Sequence, residues 1–345
     1  MKRRDILTGA AKASAAIAIG APFIAPRHAD AATTISFVSW GGSSGDFVKS
    51  VWIPEFTKET GINVIYINTP DMGKVKAQVQ TGNVEWDVIE SLGSWAYSGD
   101  KDGLWETIDT KVIDSSQFFV KAPRTAVPAY VAGIAIGWDP KRTTKPARNF
   151  AQLWDVKNFP GRRVIRDFAS IQLEVALVAD GVPPDKLYPL DVNRAFRSLD
   201  NIKPAVKKWA AETQLHISML QQNETDYSMP PLNRAKIATE GGVSLAVSLD
   251  QCVTSPGYYN VLRGTKNREA SMKWLEFITR PKQQALYSNA LGILSAVKGV
   301  DKLMTPEARK WVPDPNNPKN ILINDEYWAD NFTTLDRRFK EWIIT

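Results

Sequence analysis

"TISFVSWGGSSGDFVKS", residues 34–50, decides how this chain is read. A β-branched and aromatic run, Thr34 to Trp40, passes straight into a glycine turn and then into a segment with helical spacing. Strand, glycine turn and helix can cradle phosphate, because glycines admit close backbone approach and a helix start offers unpaired N–H groups. The spacing here argues against a nucleotide. Gly41-Gly42-x-x-Gly45 is not G-x-G-x-x-G, and Asp46-Phe47 follows Gly45 where a P-loop needs Lys-Ser/Thr.

Working outward, the pattern repeats. "FVKSVWIPEFTKETG" predicts a helix stopped at Gly61, "INVIYIN" a second strand, "DMGKVKAQVQTG" a helix ending at Gly82, and "WDVIESL" a third strand. That order implies parallel strands with right-handed crossovers, whose ligands bind beyond the strands' carboxyl ends. Trp40 to Ser44 and Leu92 to Trp95 occupy two of those ends. A second α/β set follows the buried run "VAGIAIGWDP". Its members are "RRVIRDF" as strand, "SIQLEVALVADG" as helix, "DVNRAFRSLDNIKPAVKKWAAE" as a longer helix interrupted near Pro204, and "VSLAVSLD" as strand. "NREASMKWLEFITRPKQQALYSNALG" then reads as helix N-capped by Asn267 and broken at Pro281.

The first 31 residues read as an export signal, with Lys2-Arg3-Arg4, a mildly apolar stretch and Ala29-Asp30-Ala31 before Ala32. Arg3-Arg4 followed by Asp5-Ile6-Leu7 resembles a twin-arginine signal; an ordinary secretory signal with adjacent arginines is the alternative. The mature protein is expected in the periplasm. Its charge is then 38 basic against 35 acidic residues, a net +3 without any basic run, so no nucleic-acid partner is expected. Cys252 is the only cysteine and His216 the only histidine after residue 31, which excludes internal disulfides, thiolate clusters and histidine-rich zinc sites. No metal or cofactor is expected. His216, in a predicted helix, reads as a packing residue.

With these segments in hand the chain resembles a known family. "ISFVSW", "FTKETGINV", "FAQLWDVKNFPGRRVI" and "KNREASMKWLEFITRPKQQALYSNALG" are similar to the solute-binding proteins of ABC importers, in the spermidine/putrescine-binding branch, over about Thr34 to Gly299. The resemblance implies an α/β, two-lobed type 2 periplasmic-binding-protein fold, each lobe a mixed sheet flanked by helices, with the ligand in the cleft. Lobe 1 would comprise 32–137 and 258–345, and lobe 2 would comprise 138–257, with crossings near Gly137-Trp138 and Thr254-Gly257. The partners implied are a small-molecule ligand and the permease of an ABC importer in the inner membrane; a monomer and a non-enzyme are expected.

The family's polyamine site pairs aromatic walls with carboxylates, because methylene stems pack on rings while each ammonium needs an anionic partner. This chain keeps Trp40, but Gly41 and Gly42 follow it. Trp95 remains of an aromatic pair, preceded by Ser94. Asp167 survives where an acidic helix start is implied, with Phe168 and Ile171 beside it, and Ser255-Pro256-Gly257 replaces a Trp-x-Asp. A diamine would therefore lack counter-charges, and burying each bare ammonium costs several kcal/mol. The reading that follows is a small organic anion or zwitterion held by Gly41, Gly42, Ser43, Ser44 and Arg166, its body against Trp40 or Trp95.

Alternatives stay open at this level. Arg166 could pair with Asp167. A polyamine could use Asp167, Glu174, Asp226 and Asp250. Ferric iron could use Tyr258 and Tyr259, since hard Fe(III) favours phenolate oxygen. An enzyme on the same fold could use Cys252, although no activating base is identifiable. A sensor that docks on a receptor shares every feature.

Overall fold

The computed structural model describes residues 32–345; the stretch read as an export signal, with Arg3, Arg4 and His28, lies outside the described residues. The described residues Thr33–Thr345 build a single unit with two lobes. No helix among the described residues is long and apolar enough to cross a membrane.

The opening stretch folds as its pattern predicts. β1 (Thr34–Ser39) leads through the glycine turn into α1 (Ser43–Phe47), a π-helical turn and α2 (Ile53–Thr60). β2 (Asn63–Asn68), α3 (Met72–Thr81), β3 (Val88–Leu92) and α4 (Gly93–Lys101) follow. β1 pairs in parallel with both β2 and β3, so the crossovers expected from the sequence are present. Trp52, Phe56 and Val48 are wholly buried against Phe37, which is why this helical run keeps one apolar face.

Two long strands carry the chain between lobes. β4 (Ala126–Trp138) and β7 (Ala246–Val261) pair antiparallel from Ala126↔Asn260 to Trp138↔Ala246. The register shifts between Ile134 and Ile136, where the β7 segment Leu249–Cys252 is extruded. The sheet of lobe 1 runs β2-β1-β3-β7-β4-β8, with β8 at Leu294–Ser295, and β9 (Ile321–Leu322) pairs with β7 at Val253 and Thr254.

Lobe 2 holds α5 (Phe150–Trp154), β5 (Arg163–Arg166), α6 (Ala169–Ala179), α7 (Val192–Ile202), β6 (Val206–Ala210), α8 (Leu215–Gln221) and α9 (Leu232–Glu240). β5 and β6 are parallel, and residues 227–231 bridge β5 and β4 through Arg163↔Tyr227, Gly137↔Ser228 and Ile134↔Pro231. One expectation is corrected here. "AVKKWAAE" does not continue the preceding helix past Pro204; its first part is β6, because pairing with β5 overrides the local helical preference of Ala and Lys.

The C-terminal part contains α10 (Arg268–Thr279), α11 (Pro281–Leu291), α12 (Pro306–Arg309) and α13 (Asp325–Ile344). α10 and α11 are separated at Pro281 as expected, whereas Asn267 spends its side chain on Thr34 and Asp87 rather than on capping α10. α13 packs on α4 of lobe 1 and α6 of lobe 2, and its Trp328, Leu335 and Phe339 share the lobe 2 core with Leu173 and Leu177.

Candidate functional site

The carboxyl end of β1 carries Trp40 and the turn Gly41-Gly42. Trp95, in the first turn of α4 beyond β3, lies with its ring centroid 5.9 Å from that of Trp40 at an interplanar angle of 38°. The two indoles thus form one partly exposed aromatic surface at adjacent strand ends. Gly42 holds φ 70°, ψ −152°, a conformation open only to glycine, and Asn68 from the end of β2 approaches the place a Cβ on Gly41 would take to 3.4 Å. Ser43 and Ser94 are half-buried beside these rings, while the Ser44 hydroxyl is 2.5 Å from Tyr287 OH. Ser44 is therefore a strut between α1 and α11.

Beneath this turn lies a residue that motif reading missed. Glu90, at 2 % exposure, accepts hydrogen bonds from Ser39 Oγ at 2.5 Å and Tyr130 OH at 2.6 Å. Burial pushes its carboxyl up to about 6, while those two donors pull the other way. Its signal in the sequence was an acid within an otherwise apolar strand.

Across the cleft, β5 ends in Arg166. The guanidinium carbon is 5.2 Å from the Phe168 ring centroid, and Nη2 reaches only the Ala211 carbonyl at 3.5 Å. Nε and Nη1 are buried without a partner, and burial lowers the group to about 10. Asp167 does not neutralise it. That carboxylate bonds Lys340 of α13 at 2.5 Å, so the sequence alternative of an Arg166–Asp167 pair is corrected.

Around Arg166 the structure gathers residues that are far apart in sequence. His216, wholly buried, offers Nε2 to the Ala210 carbonyl at 3.2 Å and Nδ1 to the Met229 N–H at 3.4 Å. Burial first, and the neighbouring Arg166 charge second, lower it to about 4, so at neutral pH it is an uncharged spacer. Gln172 Nε2 contacts Met229 Sδ at 3.9 Å, leaving Oε1 buried without a partner; Ser228 Oγ on the adjacent residue is also unpartnered. Buried polar atoms without partners are costly and rare, and Gln172 and Ser228 adjoin Met229, whose N–H meets His216 beside Arg166.

The remaining expected site residues sit elsewhere. Asp250 forms a surface pair with Arg148 at 2.8 Å in the extruded part of β7. Tyr258 and Tyr259, adjacent in one strand, project from opposite faces. Tyr259 packs edge-on against Phe37, with ring centroids 5.8 Å apart, and Tyr258 donates to the Lys121 carbonyl at 3.1 Å. Both are buried and their hydroxyls are pushed well above the usual range by desolvation, so they cannot present paired phenolates. Cys252 is buried, and its thiol is pushed up to about 12, which leaves it protonated and inert.

Comparison with known proteins follows this geometry. Residues 52–319 match the family described as bacterial extracellular solute-binding protein. The gamma-aminobutyric acid-binding protein of Pseudomonas aeruginosa is 30% identical over 338 residues, covering 94% of each chain. The spermidine/putrescine-binding periplasmic protein of Escherichia coli K12 is 23% identical over 89% of this chain and 90% of its own. An ABC transporter substrate-binding protein from Bradyrhizobium japonicum superposes with a TM-score of 0.84 at 27% identity, covering 90% of this chain and 99% of that one. The chain belongs to the bacterial extracellular solute-binding proteins, as a substrate-binding protein of an ABC transporter.

Proposed function

We propose that this receptor takes a small carboxylate-bearing solute, foremost a zwitterion of the gamma-aminobutyrate kind, between its lobes in the periplasm and delivers it to an inner-membrane permease. The observation that carries this reading is Arg166: a buried guanidinium with Nε and Nη1 unpartnered and no carboxylate on it. Leaving such a cation bare is costly, and a ligand carboxylate supplies the fork-shaped partner it lacks. Gln172 and Ser228 add polar atoms in need of partners, and Trp40 with Trp95 offers a surface for the aliphatic body. The printed ligand of the 30% identical relative is a molecule of this class.

Polyamine binding is less well supported. Asp167, Asp226 and Asp250 are already paired with Lys340, Arg162 and Arg148, and burial pushes Glu174 up to about 7. The decisive experiment is calorimetric titration of the mature chain with gamma-aminobutyrate, succinate and putrescine, repeated with Arg166→Ala. Carboxylate binding that is lost in the variant supports the reading. Micromolar putrescine binding indifferent to Arg166→Ala overturns it.

A further inference from the structure

Resting on that reading, we infer that Arg234 sets the charge selectivity of the cleft: it is a second anion-facing residue, carried by lobe 2 over the glycine turn of lobe 1. Arg234 lies in the first turn of α9, and its neighbour Ala235 anchors that helix against Ile217 and Leu220 of α8. From there the guanidinium spans to the opposite lobe, with Nη1 and Nη2 at 3.5 and 3.6 Å from the place a Cβ on Gly42 would take. Apart from the turn's own backbone, nothing else comes within 4 Å of that place, so the guanidinium is the group that covers the turn.

Its charge is not consumed by the protein. Among the described residues Arg234 has no ion pair and no side-chain hydrogen bond. Two acids on the elements it joins are taken: Glu240, the acid of its own helix, is held by Lys236 at 2.8 and 2.9 Å, and Asp46 beyond the glycine turn is held by Lys49 at 2.9 Å. Arg234 is exposed, so it does not serve the core either. Arg166 at the end of β5 and Arg234 over the glycine turn thus give the lobe 2 wall two guanidinium charges, neither carrying a carboxylate. Such a pair attracts a carboxylate and repels a diammonium chain, which is selectivity by unfavourable contact as much as by favourable contact.

The test compares wild type with Arg234→Gln, Arg234→Lys and Arg234→Glu, titrated with gamma-aminobutyrate, succinate and putrescine at low and high salt. Arg234→Gln should weaken carboxylate binding ~5–20-fold, since an exposed charge-assisted contact is screened, and should flatten its salt dependence. Arg234→Lys should keep most of the affinity, and Arg234→Glu should raise putrescine affinity while abolishing the preference for carboxylates. A purely structural role would move none of these ratios. If Arg166→Ala abolishes carboxylate binding while all three Arg234 variants keep wild-type affinities and salt slopes, the inference fails and the Arg166 reading stands. If wild type prefers putrescine, the Arg166 reading fails, and Arg234→Glu still decides: a further gain for putrescine upholds the charge role of Arg234, and no change overturns it.

Discussion

The carboxylate of Asp325 occupies the space that a side chain on Gly93 would need. Asp325 opens α13 and Gly93 opens α4 at the end of β3, so this contact joins the bridging helix to the rim of lobe 1. Gly93→Ala should therefore destabilise the protein by ~2–4 kcal/mol, as overpacking of a rigid site does. Asp325→Ala in the same chain should restore most of it. Urea unfolding of the two single variants and the double variant measures the coupling; strictly additive effects would contradict the contact.

The same corner predicts a pH dependence. Burial pushes both Glu174 and Asp325 up to about 7, and the Glu174 charge adds to the rise at Asp325; Tyr188, Trp328, Tyr258 and Tyr97 face them, and among the described residues neither carboxylate has an ion pair. A carboxyl whose folded value is raised binds its proton more tightly in the folded state, so stability is full at low pH and is lost as pH rises through about 7. His216 works in the opposite direction, losing stability as pH falls from 6.5 towards about 4, so the window 6.5–8 isolates the acids. Unfolding free energy should fall across that window by on the order of 1–3 kcal/mol. Glu174→Gln keeps the Oε1 acceptor for Tyr188 and Trp328 and should flatten the curve; an unchanged slope would place the titration elsewhere.

Arg166 should separate binding from stability. Arg166→Met removes a desolvated charge while keeping the bulk of the stem, so the ligand-free protein should melt at the same temperature or higher. Binding of gamma-aminobutyrate should weaken by ~1.5–3 kcal/mol, and Arg166→Lys should recover only part of it, because a forked donor becomes a point charge. Loss of both stability and binding in Arg166→Met would mark the residue as structural.

α9 meets α11 through Lys236. Lys236, 7 % exposed, bonds Glu240 and the Ala290 carbonyl at 3.2 Å at the end of α11, while its stem packs against Gly292. Saturating solute should shrink the radius of gyration in solution scattering, and Lys236→Met should weaken affinity ~3–10-fold with a larger ligand-free radius, since closing costs more without the contact. Binding without any compaction would refute a two-lobe mechanism.

Much of lobe 1 was legible because β1 and β3 are buried apolar runs, β2 alternates, and the helices between them stop at Gly61 and Gly82, all of which are local signals. β6 was not, since Lys207 and Lys208 have no strand pattern of their own and become a strand only by pairing with β5. The tyrosine pair misled for the same kind of reason. As neighbours in sequence Tyr258 and Tyr259 could share a ligand; in a strand running from Ala246 to Val261 their side chains must diverge. Arg166 stood out at a strand end, whereas Gln172, Ser228 and Arg234 look like ordinary polar residues until the bridges at 227–231 bring their elements to the cleft.

The pairing of Trp138 with Ala246 has a genealogical consequence. Residues directly opposite in an antiparallel pair stand about 5 Å apart, a gap that a two-residue hairpin turn can close. Everything from Asp139 to Leu245 therefore leaves and rejoins the two long strands at one point, while the bridges of 228–231 to β4 and the packing of α13 tie it back. Insertions and deletions in this segment leave the register of β4 and β7 untouched, provided its two ends stay side by side and the bridges at 228–231 and the surface under α13 are kept. Descendants of such a chain can rewrite the half of the cleft that carries Arg166 and Arg234 while inheriting the half that carries Trp40 and Trp95 unchanged.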